Sequence, residues 1–329
     1  MRLLVVLIAL SAVAVAQHPA SITFDELSRS NPGAAFDHGF VAAWDLVQVH
    51  SLTLYDTDGR RLFDLTSLTL PDGTKTNTPI SVDIDSDGTS ALAYWVNSSL
   101  RAGFALVDKT GNQIRIVETQ PYRPSQVCFA PDHSIWMFGD QWNSKAQPDA
   151  DFMTFRHYSR DGKLLGSFVP RSTLPAWEGA GLDGAVAPFI GHWRLRASKD
   201  RIGAALLLGN HKQVWIELDL QGQLIGQWTD TFSAPEWVMP VAFDSDSLLY
   251  GEHRMREKRV GISVFDRSTS TWKPAPSLPK GRLLGADGAL LVYQNGDELR
   301  WVEGLNVQTE SASIVCPKQA GSAPEAPGR

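Results

Sequence analysis

The sequence predicts an all-β protein: a β-propeller of about six four-stranded antiparallel blades. Three observations carry that expectation. Apolar strands joined by Asp/Gly turns recur along the chain, a second strand–turn–strand pattern precedes each copy, and no long 3.6-residue periodicity competes.

The first pattern is an apolar strand, an Asp/Gly turn and another apolar strand. It appears at Leu54–Gly59, Leu106–Gly111, His157–Gly162 and Leu218–Gly222, with a degenerate copy at Val264–Ser268. The second pattern lies upstream of each. Its copies run from Val82 to Trp95, Val127 to Phe138, Leu195 to Leu208, Val241 to Tyr250 and Leu283 to Tyr293. Asp and Gly tolerate the positive φ of tight hairpin turns. Each unit therefore reads as a four-stranded meander that cannot bury both faces alone. Radial stacking buries them.

The predicted blades are 35–77, 78–121, 122–185, 186–237, 238–280 and 281–316; five or seven blades stay open as counts. The first lacks a clear inner hairpin, and Gly39–Trp44 is its candidate. Ser21–Phe24 is the candidate outer strand that closes the last blade. The chain so divides into a signal peptide at 1–16, a propeller domain at 17–316 and a disordered tail at 317–329.

The N-terminus supports that division. Arg2, an apolar run from Leu3 to Val15 and the Ala14-Val15-Ala16 site make a secretory signal. The run is too short for a bilayer, which needs roughly 20 apolar residues. A secreted or periplasmic protein without a membrane span is expected. Net charge is -6 with Lys and Arg scattered singly, so no basic stripe points to nucleic acid. Cys128 falls inside an apolar strand and reads as a buried thiol; a bridge to Cys316 stays open in an oxidising compartment.

Arg123-Pro124-Ser125-Gln126-Val127-Cys128-Phe129 through Asp140 resembles the NHL-repeat and related six-bladed propeller superfamily: proline, apolar strand, turn, apolar strand, terminal Asp. The resemblance covers most of the mature chain and implies the fold. Such propellers include scaffolds, ligand binders, lactonases and other hydrolases, so it implies no single activity.

Two constellations are candidate sites. The second strand of each unit ends in a polar residue: Asn97, Asp140, Asn210, Glu252 and Asn295, with His211 and His253 adjacent. Radial symmetry would put these on one rim, where they could bind a ligand or hold a divalent metal. Local backbone capping by the same residues is the competing reading. Gluconolactonase-like propellers hold a central metal through carboxylates and amides; the chain resembles them only in that broad sense, and no residue carries across.

Asp83, Asp85 and Asp87 open a D-x-D-x-D-G run that suits Ca2+. The supporting acids of known calcium loops are missing, since Tyr94 and Ala91 stand at the twelfth and ninth positions. A solvated hairpin turn is the alternative. Gly179–Gly184 matches G-x-G-x-x-G without the flanking strand and helix of a dinucleotide site.

Among eleven tryptophans, Trp136 and Trp215 sit in strand patterns and are expected in the core. Trp142, Trp177 and Trp237 sit in loops suited to stacking on sugars or an apolar partner. No G-x-S-x-G elbow, H-E-x-x-H or zinc-type cysteine pair occurs. The leading expectation is a monomeric binding module for a protein, peptide or glycan. The alternative is a metal-dependent, lactonase-like hydrolase working at the channel mouth.

Overall fold

The structure, a computed structural model, describes residues 22–23, 33–45, 51–76, 80–96, 101–142, 151–174, 195–207, 213–229, 236–255, 258–295 and 298–305. Six four-stranded antiparallel sheets make up nearly all of it. Blade 1 holds β2 (Gly33–Asp37), β3 (Phe40–Asp45), β4 (Ser51–Asp56) and β5 (Arg61–Leu65). Blade 2 holds β6 (Ser81–Ile84), β7 (Ser90–Trp95), β8 (Ala102–Val107) and β9 (Gln113–Glu118). Blade 3 holds β10 (Tyr122–Phe129), β11 (Ile135–Gln141), β12 (Met153–Tyr158) and β13 (Leu164–Pro170). Blade 4 holds β14 (Leu195–Ala197), β15 (Arg201–Leu207), β16 (Gln213–Asp219) and β17 (Leu224–Thr229). Blade 5 holds β18 (Glu236–Phe243), β19 (Leu249–Met255), β20 (Lys258–Asp266) and β21 (Thr271–Pro274). Blade 6 joins β22 (Arg282–Asp287), β23 (Leu290–Asn295) and β24 (Glu298–Glu303) to β1 (Ile22–Thr23), from the start of the chain.

The first strands of successive blades touch one another all the way round, and β22 touches β2, so the sheets close a ring. Pairing of Ile22 with Leu299 and of Thr23 with Glu298 ties the two ends of the domain together, as the sequence suggested for Ser21–Phe24. The inner hairpin of blade 1 lies where the weak candidate fell, with β2 and β3 joined through His38-Gly39. The signal-peptide segment, the Gly179–Gly184 run and the tail lie outside the described residues.

The recurrent Asp/Gly turn has a physical job beyond reversing the chain. Asp219 caps its turn by accepting from the N–H groups of Gln221 and Gln223, at 2.9 and 2.8 Å. Gly222 then takes φ +87, a conformation that favours glycine. A Cβ on Gly222 would fall 2.2 Å from the ring of Phe168, on the outermost strand of the preceding blade. The same placement recurs at Gly111 against Phe63 and at Gly162 against Val117. Each turn glycine thus docks one blade's outer hairpin onto the previous blade.

The core lies between blades rather than within them. Trp136 and Cys128 of blade 3 pack with Leu195, Ile202, Val214 and Ile216 of blade 4. Leu52 and Leu54 of blade 1 pack with Leu92 and Tyr94 of blade 2. Trp215 is buried against Phe243 and Phe265 of blade 5. Burial pushes the Cys128 thiol well above its ordinary value. Cys316 lies outside the described residues.

Candidate functional site

A propeller has two mouths, and here they differ in chemistry. Turns between first and second strands, and between third and fourth, reach one face. Connections between second and third strands, and from blade to blade, reach the other.

At the first mouth, polar side chains from the inner strands cross the channel. Asp83, at the end of β6, accepts from the Phe129 N–H of blade 3 at 2.7 Å. Arg196, from β14, reaches it at 3.4 Å and also donates Nε to the Val241 carbonyl of blade 5 at 2.8 Å. Asp37, at the end of β2, hydrogen-bonds to Asp83, so that the two carboxyls share a proton. His38 lies against Asp37 at 2.8 Å and the Ile84 carbonyl at 3.1 Å, with its backbone at φ +45.

The charges follow from this packing. Burial pushes Asp83 well above the usual carboxylate range, and Asp37 beside it pushes the same way. Burial opposes ionisation of Asp37 too, but the His38 hydrogen bond and charge hold it below its ordinary value. The hydrogen bond that His38 donates to Asp37 carries the imidazole up to about 9, against its own desolvation. These groups satisfy one another, and together they tie the inner strands of five blades.

The carboxylates of the D-x-D-x-D-G run meet basic side chains, with Asp85 and Asp87 sharing one guanidinium and Asp83 facing another, that of Arg196. Asp85 lies against His133 at 2.8 Å and Arg160 at 3.0 Å, while Asp87 takes the other arm of Arg160 at 2.5 Å. Strand alternation does send Asp83 and Asp85 to the same side, towards blade 3, but blade 3 supplies each with a partner. Among the described residues no three His, Cys, Asp or Glu side chains converge as a metal site would require.

The described polar strand-end residues at the second mouth have different surroundings. Glu252 is wholly buried. It accepts from Arg254 at 2.7 Å, Arg259 at 3.1 Å and the Leu283 N–H of blade 6 at 3.0 Å, a clasp between blades rather than a rim group. His253 is bound to Glu236 at 2.6 Å. Asn295 is exposed at the end of β23. Asn97, Asn210, His211 and Trp177 lie outside the described residues, as does the side chain of Trp237.

Asp140 is different, and its surroundings form the candidate site. In register, Pro124 faces Gly139 and Arg123 faces Asp140. Blade 5 repeats this arrangement, with Pro240 facing Gly251 and Met239 facing Glu252. Where blade 5 has Met239, blade 3 has an arginine. Two indoles pack against its guanidinium: Trp95 of blade 2 at 4.1 Å and Trp142 of blade 3 at 4.3 Å. Trp95 is itself fixed by donating to the Pro124 carbonyl at 2.9 Å.

Among the described residues the nearest approach of Arg123 to an acid is 3.9 Å, from its Nε to Oδ1 of Asp140, beyond hydrogen-bond distance. Among the described residues Oδ1 of Asp140 and Nε1 of Trp142 are buried without a well-formed hydrogen bond, although the indole lies close enough to help hold the Asp140 carboxyl down. Burial pushes Asp140 up against the pull of Arg123, and pushes Arg123 down against the pull of Asp140. The sequence marked Asp140 and Trp142 separately. It gave no sign that Trp95, in the preceding blade, completes the site with Arg123.

No family model matches the chain, and no curated protein is detectably similar to it in sequence. Among solved structures it is similar to a gluconolactonase of Xanthomonas campestris, 15% identical over 80% of this chain and 82% of that one, with a TM-score of 0.46. It is also similar to the hydrazine synthase of Kuenenia stuttgartiensis, at 12% identity, 79% and 72% coverage and a TM-score of 0.44. The Dos1 propeller is a third, at 10% identity, 83% and 78% coverage and 0.45. The assignment of the chain as a six-bladed β-propeller rests on the strand order and ring closure described above.

Proposed function

We propose that the chain is an exported binding propeller that holds its ligand on the face where the second strands end, with Arg123 as the anchoring group. One observation carries this reading. A repeat position filled by Met239 in blade 5 holds, in blade 3, an arginine clamped by two indoles and spending no hydrogen bond among the described residues. Stacking restricts the side chain, and a rigid, partly desolvated donor loses little entropy when it binds. At the opposite mouth, Asp37, His38, Asp83 and Arg196 are already engaged with one another or with backbone groups.

The test is a binding screen of peptides, glycans and small metabolites on the mature chain, followed by hydrogen exchange with the first ligand found. Protection should fall on Trp95, Tyr122–Pro124 and Asp140–Trp142. Protection centred on Asp37–Phe40 and Asp85–Gly88 would overturn the assignment of the face. The alternative, a metal-dependent hydrolase working at the channel mouth, is tested by elemental analysis of the purified protein.

A further inference from the structure

We propose that the group received by Arg123 is a carboxylate, and that the ligand is a small organic acid. This rests on the binding face assigned above and adds the chemistry of what binds there.

The geometry sets the requirement. Guanidinium nitrogens form a planar fork that matches the two oxygens of a carboxylate. The guanidinium carbon lies over the faces of both indoles, at 4.1 and 4.3 Å, so the two rings close off part of its surroundings and a new partner must approach from the directions they leave open. Asp140, at 3.9 Å from Nε, orients the side chain from one end without consuming the fork.

Local charge argues for a monoanion. Arg156, also on blade 3, is spent on Oγ of Ser167 at 2.6 Å and Oε1 of Gln141 at 3.1 Å. A phosphate dianion would meet a single uncommitted guanidinium with the Asp140 carboxyl beside it, whereas a carboxylate needs one fork only. Size follows from access. The Arg123 side chain is only 18% exposed, so a slender group reaches it more readily than a broad macromolecular surface.

Titration calorimetry with matched pairs tests the idea: benzoate against benzamide, acetate against acetamide, and inorganic phosphate as a competitor. Each acid should bind at least ten-fold more tightly than its amide, and phosphate should displace it poorly. In Arg123→Lys, which keeps the charge and loses the fork, the preference for acid over amide should collapse. Equal binding of acids and amides to the unaltered chain would overturn the inference whether or not the variant folds. Phosphate binding more tightly than either acid would overturn it too, as would an Arg123→Lys chain that keeps the full preference. A ligand found on this face that carries no carboxylate would sink this inference and leave the assigned face intact. A ligand footprint on the opposite face would remove both.

Discussion

Replacing Gly222 with alanine should destabilise the protein by about 2–5 kcal/mol, from two separable costs. The backbone there has φ +87, where a Cβ costs about 1–2 kcal/mol. The same Cβ would lie 2.2 Å from two ring carbons of Phe168. That ring is stacked on Trp136 at 5.3 Å, so it cannot swing aside without disturbing blade 3, and overpacking of this kind costs about 1–3 kcal/mol. Two controls separate the costs. Gly73 has φ +84 with nothing within 4 Å of its Cβ, so Gly73→Ala should show the backbone cost alone. Gly261 has neither a positive φ nor a neighbour within 4 Å, and Gly261→Ala should be neutral or gain about 0.4–1 kcal/mol through the unfolded chain. Urea unfolding followed by circular dichroism gives all three. If Gly222→Ala is no worse than Gly73→Ala, the turn does not dock blade 4 onto blade 3 as argued.

Other perturbations test other links. Glu217 is fully buried and accepts from Arg201, Arg267 and Trp215. Glu217→Ala should cost about 3–5 kcal/mol in urea unfolding because it takes the carboxylate away from Arg267 and the buried Trp215 indole between blades 4 and 5, while Arg201 keeps Asp200, and a loss under 1 kcal/mol would contradict that. Asp83 has its pKa raised by folding, so its contribution is present at low pH and is lost as pH rises above the unfolded carboxylate value towards the folded one. Asp83→Asn should therefore gain melting temperature relative to the unaltered protein as pH rises, and a pH-independent gap would refute the shared proton. Cys128 is buried with its thiol pushed up, so in a Cys316→Ser background it should resist iodoacetamide at pH 8 until urea is added. Prompt native alkylation would show that the blade 3–blade 4 core is open.

The fold was readable because it repeats. Asp56, Asp108 and Asp219 each head a turn that needs a cap and a left-handed glycine, and both requirements show in the sequence at Gly59, Gly111 and Gly222. The closing strand showed as a short apolar stretch with no blade of its own. Radial symmetry alone does not tell the strand ends apart. Asp140 and Glu252 occupy matching register positions, yet Glu252 is consumed between blades while Asp140 backs an arginine. That difference lies in residues 123 and 239, and in the Trp95 contact from another blade, which local patterning does not expose. The partners of the calcium-like run were hidden for a related reason: Arg160 and His133, which lie against Asp85, come from a different blade.

The central claim is that one mouth offers an uncommitted, clamped guanidinium while the charged groups of the other are engaged with one another. A crystal structure of the mature chain soaked with benzoate addresses it directly. The account predicts a carboxylate on the fork of Arg123 at the edge of Trp95 and Trp142, with Arg196 still bound to Asp83. Benzoate on Arg196, or a loop carboxylate already holding Arg123 in the soaked crystal, would contradict it.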